Sequence, residues 1–180
     1  MNGYSFFYED PVQFPHLLHK RANPDCGHTG KAHVPFGGKK MTDAYILEAV
    51  RSPIGKRNGT LSNMRPDDLA GDVLKSLMQR AQVDPAEVED VVMGCVTQVE
   101  EQGYNIGRMA ALVAGFPVTV PGTSVNRMCA SSLQSTNFAA QAVGSGAMDL
   151  CIGAGVESMS RVSMGSDGGS LSDRLRDRFD

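Results

Sequence analysis

The 180-residue sequence contains no long apolar run and little excess of charge of either sign. No segment approaches the roughly 20 apolar residues that a membrane-spanning helix needs, so we expect no membrane as a partner. No apolar stretch follows the start, which argues against a secretory signal. The formal net charge of −3 at pH 7 gives no reason to expect a nucleic acid as a partner.

Cysteine is scarce as well, and its four copies are widely spread. Small secreted domains that depend on disulfides carry denser and more regularly spaced cysteines. The positions Cys26, Cys95, Cys129 and Cys151 therefore argue against a disulfide framework. They favour a reducing, cytoplasmic compartment.

Histidine is confined to the first 40 residues, at His16, His19, His28 and His33. This segment shows neither a period of 2 nor one of 3.6, and glycine and proline interrupt it throughout. Residues 1–40 are therefore predicted to be a loop or a disordered extension. The histidines could form a metal cluster with Cys26, but their spacing matches no zinc finger, so we expect no metal site.

From Met41 onward, strand-like and helix-like patterns alternate. Strands are predicted at 44–50, 90–96, 123–125 and 149–153; helices are predicted to begin at Pro66, at Asn105 and near Cys129, with a short turn at 84–87. Nearly continuous apolar strands that alternate with helices predict an α/β sheet covered on both faces. A hydrophobic content of 41% is ordinary for a globular protein with one sizeable core.

Cys129 is the clearest candidate for chemistry. A short apolar run precedes it and a long stretch of small, helix-tolerant residues follows it, as where a strand turns into a helix. The unpaired N–H groups and the positive dipole end of such a helix favour a thiolate. A thiolate is a strong nucleophile that suits acyl transfer between sulfur atoms. The alternative is a buried structural cysteine, because free cysteine behaves as a small hydrophobe.

Four blocks, in the same order, resemble the thiolase family. Residues 125–135, Val-Asn-Arg-Met-Cys-Ala-Ser-Ser-Leu-Gln-Ser, resemble its acyl-enzyme cysteine signature, although Thr136 replaces a usual aliphatic residue. The other blocks are 49–56, 93–98 with 105–108, and 153–160. The resemblance implies a thiolase-like half-domain with a mixed, mostly parallel sheet. It implies a partial N-terminal domain at 41–160 and the start of a truncated loop region at 161–180.

The resemblance also implies a role for Cys129 and a class of substrate. Cys129 would take an acyl group from a 3-ketoacyl-CoA or from acetyl-CoA, and would pass it to coenzyme A or to the carbanion of a second acetyl-CoA. Coenzyme A would be a co-substrate, and no cofactor is expected. The implied context is fatty-acid metabolism such as β-oxidation, with a homo-oligomer as the full-length form. Acyl chain length and the direction of the reaction stay open.

The family's histidine base and its second, acid/base cysteine come from the C-terminal half. No histidine follows Met41 here, and Cys95 and Cys151 lie in apolar strands, where we interpret them as core residues. We therefore expect an N-terminal half with little activity alone. A non-catalytic truncated product that needs a partner half, and a ketoacyl-synthase-like condensing enzyme, are the alternatives.

The helix after Cys129 is rich in alanine, serine and glycine and is therefore thin. In the family this helix packs centrally between the two halves. Without the second half we expect an exposed, adhesive face, although Phe138 and Val143 favour burial.

Overall fold

The computed structural model describes residues 16–20 and 42–179. Its strands are β1 (His16–Lys20), β2 (Ala44–Ala49), β3 (Asp90–Gly94), β4 (Gly122–Val125) and β5 (Leu150–Gly155). Its α-helices are α1 (Pro66–Ala81), α2 (Ile106–Val113), α3 (Ser131–Ser145) and α4 (Asp173–Phe179). Two short 3-10 turns lie at Pro85–Glu87 and Glu100–Gln102.

The strands form one sheet in the order β2-β1-β5-β3-β4. Strand β3 is parallel to both β4 and β5, while β1 is antiparallel to both of its neighbours. Helices α1 and α2 cover one face, where Leu74, Val91, Ile106 and Ile152 belong to the larger core. Helix α3 covers the other face, against Cys151. The predicted α/β architecture, a mixed sheet with helices on both faces, is confirmed.

Local signals place most of these elements correctly. Helix α1 begins at Pro66, the predicted first position, with Asp67 and Asp68 in the first turn, where carboxylates complement the helix dipole. At the predicted turn, the Asp84 side chain accepts a hydrogen bond from the Ala86 N–H at 2.9 Å. None of the helices in residues 42–179 is long and apolar enough to cross a membrane.

Asn105 stands at the predicted helix start but does not cap the helix with its side chain. Its backbone is left-handed, with φ of 60°. Its amide donates to the Gly122 carbonyl at 2.7 Å, and its Oδ1 accepts from the Ser124 hydroxyl at 3.0 Å. The side chain therefore ties the start of α2 to strand β4, because β4 offers polar groups that the sequence could not place beside it.

Strand β1 lies in the segment that was predicted to be loop or disorder. It runs between β2 and β5, so that Leu18 is paired with Ile46 on one side and with Cys151 on the other. The hydrogen-bonding edges of two neighbouring strands, rather than any local pattern, make this segment a strand. The other residues of 1–41 lie outside the described residues.

Candidate active site

The carboxyl ends of β3, β4 and β5 lie at the same edge of the sheet because these strands are parallel. The chain leaves β3 into α2 on one face and leaves β4 into α3 on the opposite face. In open α/β sheets, such a reversal opens a crevice outside the strand ends, and ligands bind there. Cys129 follows β4 at this edge, two residues before α3 begins at Ser131.

A tight turn displays Cys129 between β4 and α3. Met128, just before it, has a left-handed backbone with φ of 48°. The Met128 N–H donates to Asn126 Oδ1 at 2.9 Å. Buried Ser131 accepts from the Arg127 N–H at 2.9 Å and donates to the Met128 carbonyl at 2.6 Å. Two side chains thus hold the turn, and Cys129 is exposed at it.

Glycines in β3 and β5 let α3 lie directly on the sheet. A Cβ atom on Gly94 would come within 2.4 Å of the Ser131 carbonyl carbon and of the Ser132 nitrogen. A Cβ on Gly155 would lie 1.7 Å from the Ser132 hydroxyl oxygen, and a Cβ on Gly153 would lie 2.7 Å from the Cα atom of Thr136, in the next turn of α3. The absence of these side chains therefore sets the position of the first turn of α3, and with it that of Cys129.

Glu157 joins the ends of β3 and β5. Its carboxylate accepts from the Val96 N–H at 2.7 Å and from the Thr97 N–H at 3.2 Å. Gln102, which is fully buried, donates to the same carboxylate at 2.9 Å and to the Thr97 carbonyl at 2.7 Å. The side-chain amide oxygen of Gln102, Oε1, accepts from the Ser158 N–H at 2.6 Å. Glu157 lies in the block 153–160 that resembles the thiolase family, whereas Gln102 carries no local signal in the sequence and was not predicted.

Charged side chains hold the loop that follows β5. Arg161 donates to Glu101 at 2.6 Å, and Arg65 donates to the same carboxylate at 3.1 Å. The hydrogen bond from Arg161, followed by the charges of both arginines, holds the pKa of Glu101 below its ordinary value. These contacts connect the start of α1 to the loop after β5.

The other two described cysteines are core residues, as predicted. Cys95 and Cys151 are buried, and the Cys151 sulfur lies 3.1 Å from the Met148 sulfur. Burial raises the pKa of Cys95, and the nearby Glu157 carboxylate raises it further. Burial raises the pKa of Cys151 to about 12, with the charges of Asp90 and Glu89 adding to the effect. Both thiols therefore stay protonated at neutral pH.

The outer face of α3 carries exposed apolar side chains. Leu133 is 65% exposed and Phe138 is 39% exposed, whereas Val143 is fully buried against the sheet. The expected exposed face is present, and the expected burial of Phe138 is not found. The cause is geometric, since Ser131, Ser135, Ala139 and Val143 occupy the face turned to the sheet.

A metal centre has no support in the part of the chain that the structure describes. There, no group of three or more His, Cys, Asp or Glu side chains is placed to hold a metal ion. The histidine side chains considered above, and Cys26, lie outside the described residues.

Comparison with known proteins decides the family. Residues 44–177 match the family model described as the N-terminal domain of thiolase. The chain belongs to the thiolase family. The steroid 3-ketoacyl-CoA thiolase of Mycobacterium tuberculosis is 43% identical over 129 residues, which are 72% of this chain and 32% of that protein. The 3-oxoadipyl-CoA/3-oxo-5,6-dehydrosuberyl-CoA thiolase of Escherichia coli is 46% identical over 123 residues, or 68% of this chain and 31% of that protein.

The fold agrees with this family. The crystal structure of the Bacillus anthracis acetyl-CoA acetyltransferase superposes with a TM-score of 0.66 at 36% sequence identity, covering 76% of this chain and 36% of that one. This thiolase-family chain spans about a third of the length of the curated relatives it matches. The family model that it matches is that of the N-terminal domain.

Alkylation should separate the three described cysteines. At pH 8, iodoacetamide should modify Cys129 at least about tenfold faster than Cys95 or Cys151, because buried thiols react only after the fold opens locally. Peptide mass spectrometry gives the three rates, and the Cys26 peptide is scored separately. In urea the rates should converge. Equal rates in the folded protein would contradict the described burial.

Proposed function

We propose that this chain is the acyl-accepting part of a thiolase-type acyl-CoA acyltransferase, with Cys129 as the residue that carries the acyl group. The observation that supports this most is the placement of Cys129. It is exposed in a held turn at the start of α3, at the edge where β3 and β4 send their helices to opposite faces. Helix N–H groups at that edge would favour an anionic sulfur and an anionic oxygen.

The proposed first step forms a thioester. The Cys129 thiolate attacks the thioester carbonyl carbon of acetyl-CoA, the tetrahedral intermediate collapses, and the thiolate of coenzyme A leaves and takes up a proton. With a 3-ketoacyl-CoA, attack on the ketone carbon breaks the carbon–carbon bond instead, and the leaving carbanion of acetyl-CoA must be protonated. The thiolate of a coenzyme A then attacks the carbonyl carbon of the acyl group on Cys129, the carbon–sulfur bond to Cys129 breaks, and the Cys129 thiolate leaves as a new acyl-CoA forms.

The names of the relatives support the proposed substrate class. The names of those proteins cite 3-ketoacyl-CoA, 3-oxoadipyl-CoA and acetyl-CoA, which share the acyl-CoA thioester. We propose 3-ketoacyl-CoA and acetyl-CoA as substrates, with coenzyme A as co-substrate and no cofactor. A role in fatty-acid degradation, a cytoplasmic location and a homo-oligomeric full-length form belong to the same proposal.

Turnover needs an acid/base group beside the sulfur. All four histidines precede Met41, and Cys95 and Cys151 are buried. We propose that the base and the second reactive cysteine come from sequence outside the matched third, and that this chain alone turns over slowly. A positioned base contributes about 10²–10⁴-fold, so thiolysis of acetoacetyl-CoA should be slower than in longer relatives by at least about a hundredfold. Turnover at a comparable rate would contradict this.

The exposed face of α3 supports the proposal that a further part of the protein is required for turnover. Leu133 and Phe138 present apolar surface on the helix whose N-terminal end holds Cys129. A covering element there would exclude water from the sulfur, and exclusion of water strengthens electrostatic stabilisation of the transition state. This favours a half-site that needs a partner part over an independent condensing enzyme.

The test is direct acylation. After incubation with acetyl-CoA, mass spectrometry should find one acetyl group on the Cys129 peptide, and hydroxylamine at neutral pH should release it, as expected of a thioester. Cys129→Ala should abolish this label, whereas Cys26→Ala should retain it. Absence of the thioester, or acetyl groups only on lysines, would refute the proposed role of Cys129.

A further inference from the structure

A continuous set of hydrogen bonds leads from Glu157 to the turn of Cys129. The Glu157 carboxylate holds the Val96 N–H at 2.7 Å. On the other side of the same residue, the Val96 carbonyl accepts from the Asn126 side-chain amide at 2.9 Å. The oxygen of the same amide, Asn126 Oδ1, accepts from the Met128 N–H at 2.9 Å. Cys129 is the next residue.

Each member of this set is restrained. Glu157 also accepts from buried Gln102, whose remaining polar groups bond to backbone on both sides. Asn126 is exposed, yet it uses both its donor and its acceptor within the turn region. Met128 has a left-handed backbone with φ of 48°, a conformation that a non-glycine residue keeps only when its surroundings hold it.

From this geometry we infer that Glu157 is a positioning residue for Cys129, acting through Val96 and Asn126. The Glu157 carboxylate, on the loop after β5, fixes the position of Val96 just after the end of β3. The Val96 carbonyl in turn fixes the orientation of the Asn126 amide. The amide in turn holds the left-handed residue that places the sulfur before the first turn of α3. The inference deepens the proposed function and rests on it for its catalytic meaning, but the placement of the thiol can be measured separately.

The experiment follows the alkylation rate of Cys129 by peptide mass spectrometry, with Cys151 as the reporter of an intact fold. Glu157→Gln removes one acceptor from the set and should slow the alkylation of Cys129 roughly two- to five-fold, because the sulfur would no longer be held at the N-terminal end of α3. Glu87→Gln, an exposed glutamate on a 3-10 turn, is the matched control and should leave the rate unchanged.

Asn126→Ser tests whether the hydrogen bond to the Val96 carbonyl, outside the turn, affects the reactivity of Cys129. A serine hydroxyl can still accept from the Met128 N–H, but it cannot reach the Val96 carbonyl. If the set acts as a unit, Asn126→Ser slows the alkylation of Cys129 as much as Glu157→Gln does. The double variant then reacts at the rate of the slower of the two single variants. A wild-type rate in Asn126→Ser, or multiplied effects in the double variant, overturns the inference.

These outcomes are independent of acyl transfer. Because Asn126 is exposed, Asn126→Ser carries the decision if labelling of Cys151 shows that Glu157→Gln has lost the fold. Acetylation of Cys129 from acetyl-CoA is measured on the same variants. Altered alkylation without any thioester in the wild type would refute the proposed function and retain the positioning role. A thioester in the wild type with unaltered alkylation in the variants would do the reverse.

Discussion

Replacing Gly94 with alanine is expected to lower the free energy of unfolding by about 3 kcal/mol, the upper end of the usual cost of overpacking. The added methyl group would come within 2.4 Å of backbone atoms of Ser131 and Ser132, which cannot move without moving α3. Since about 1 kcal/mol corresponds to 2–4 °C in a chain of this size, the unfolding midpoint should fall by about 6–12 °C. Thermal unfolding followed by circular dichroism measures this.

Gly169→Ala is the matched control. A methyl group there would meet no atom within 4 Å, and the backbone of Gly169 is not left-handed. Its effect should stay within about 0.5 kcal/mol, as for surface substitutions in general. Equal midpoints for Gly94→Ala and Gly169→Ala would show that α3 does not lie on the sheet as described. Acetylation of Cys129 should also fall in Gly94→Ala, because the first turn of α3 would be displaced.

Removing residues 1–40, so that the chain starts at Met41, is expected to cost at least about 4 kcal/mol, since the strand β1 makes two ladders with about 1 kcal/mol net per hydrogen bond. Strand β1 is the only described sheet neighbour of β2, and it also pairs with β5. Its loss leaves two strands with unpaired edges in the middle of the sheet. The unfolding midpoint should therefore fall by at least about 8 °C, at 2–4 °C for each kcal/mol.

A point substitution distinguishes the contribution of β1 to stability from that of the rest of residues 1–40. Leu18→Pro removes a backbone N–H from a strand with neighbours on both sides, where proline is not tolerated. It should reproduce a large part of the destabilisation, whereas Leu18→Val keeps the N–H and a high strand preference and should retain the midpoint within a few degrees. An unchanged midpoint in Leu18→Pro would mean that β1 does not complete the sheet in solution.

Much of the candidate site could be predicted because its signals are local. Pro66 with Asp67 and Asp68 marks a helix start wherever it occurs, and the prediction was confirmed. The strand, turn and helix around Cys129 are contiguous in sequence, so their order was predictable, and only the first helical residue, Ser131, differs. Asn105 shows the limit of prediction from local signals. Its position at the helix start was predicted correctly, but its side chain bonds to β4 because a distant strand lies within reach.

The sequence by itself determined the alternation of strands and helices after Met41, the strand-to-helix turn that carries Cys129, and the likeness to thiolases that the family match of residues 44–177 confirmed. Only the tertiary structure decided that residues 16–20 form a strand within the sheet, and that Glu157 reaches the exit of β3 some 61 residues away along the chain. The reason is physical. Hydrophobic period and capping chemistry act over a few residues, whereas hydrogen-bonding edges and close backbone approach exist only after distant segments have packed together.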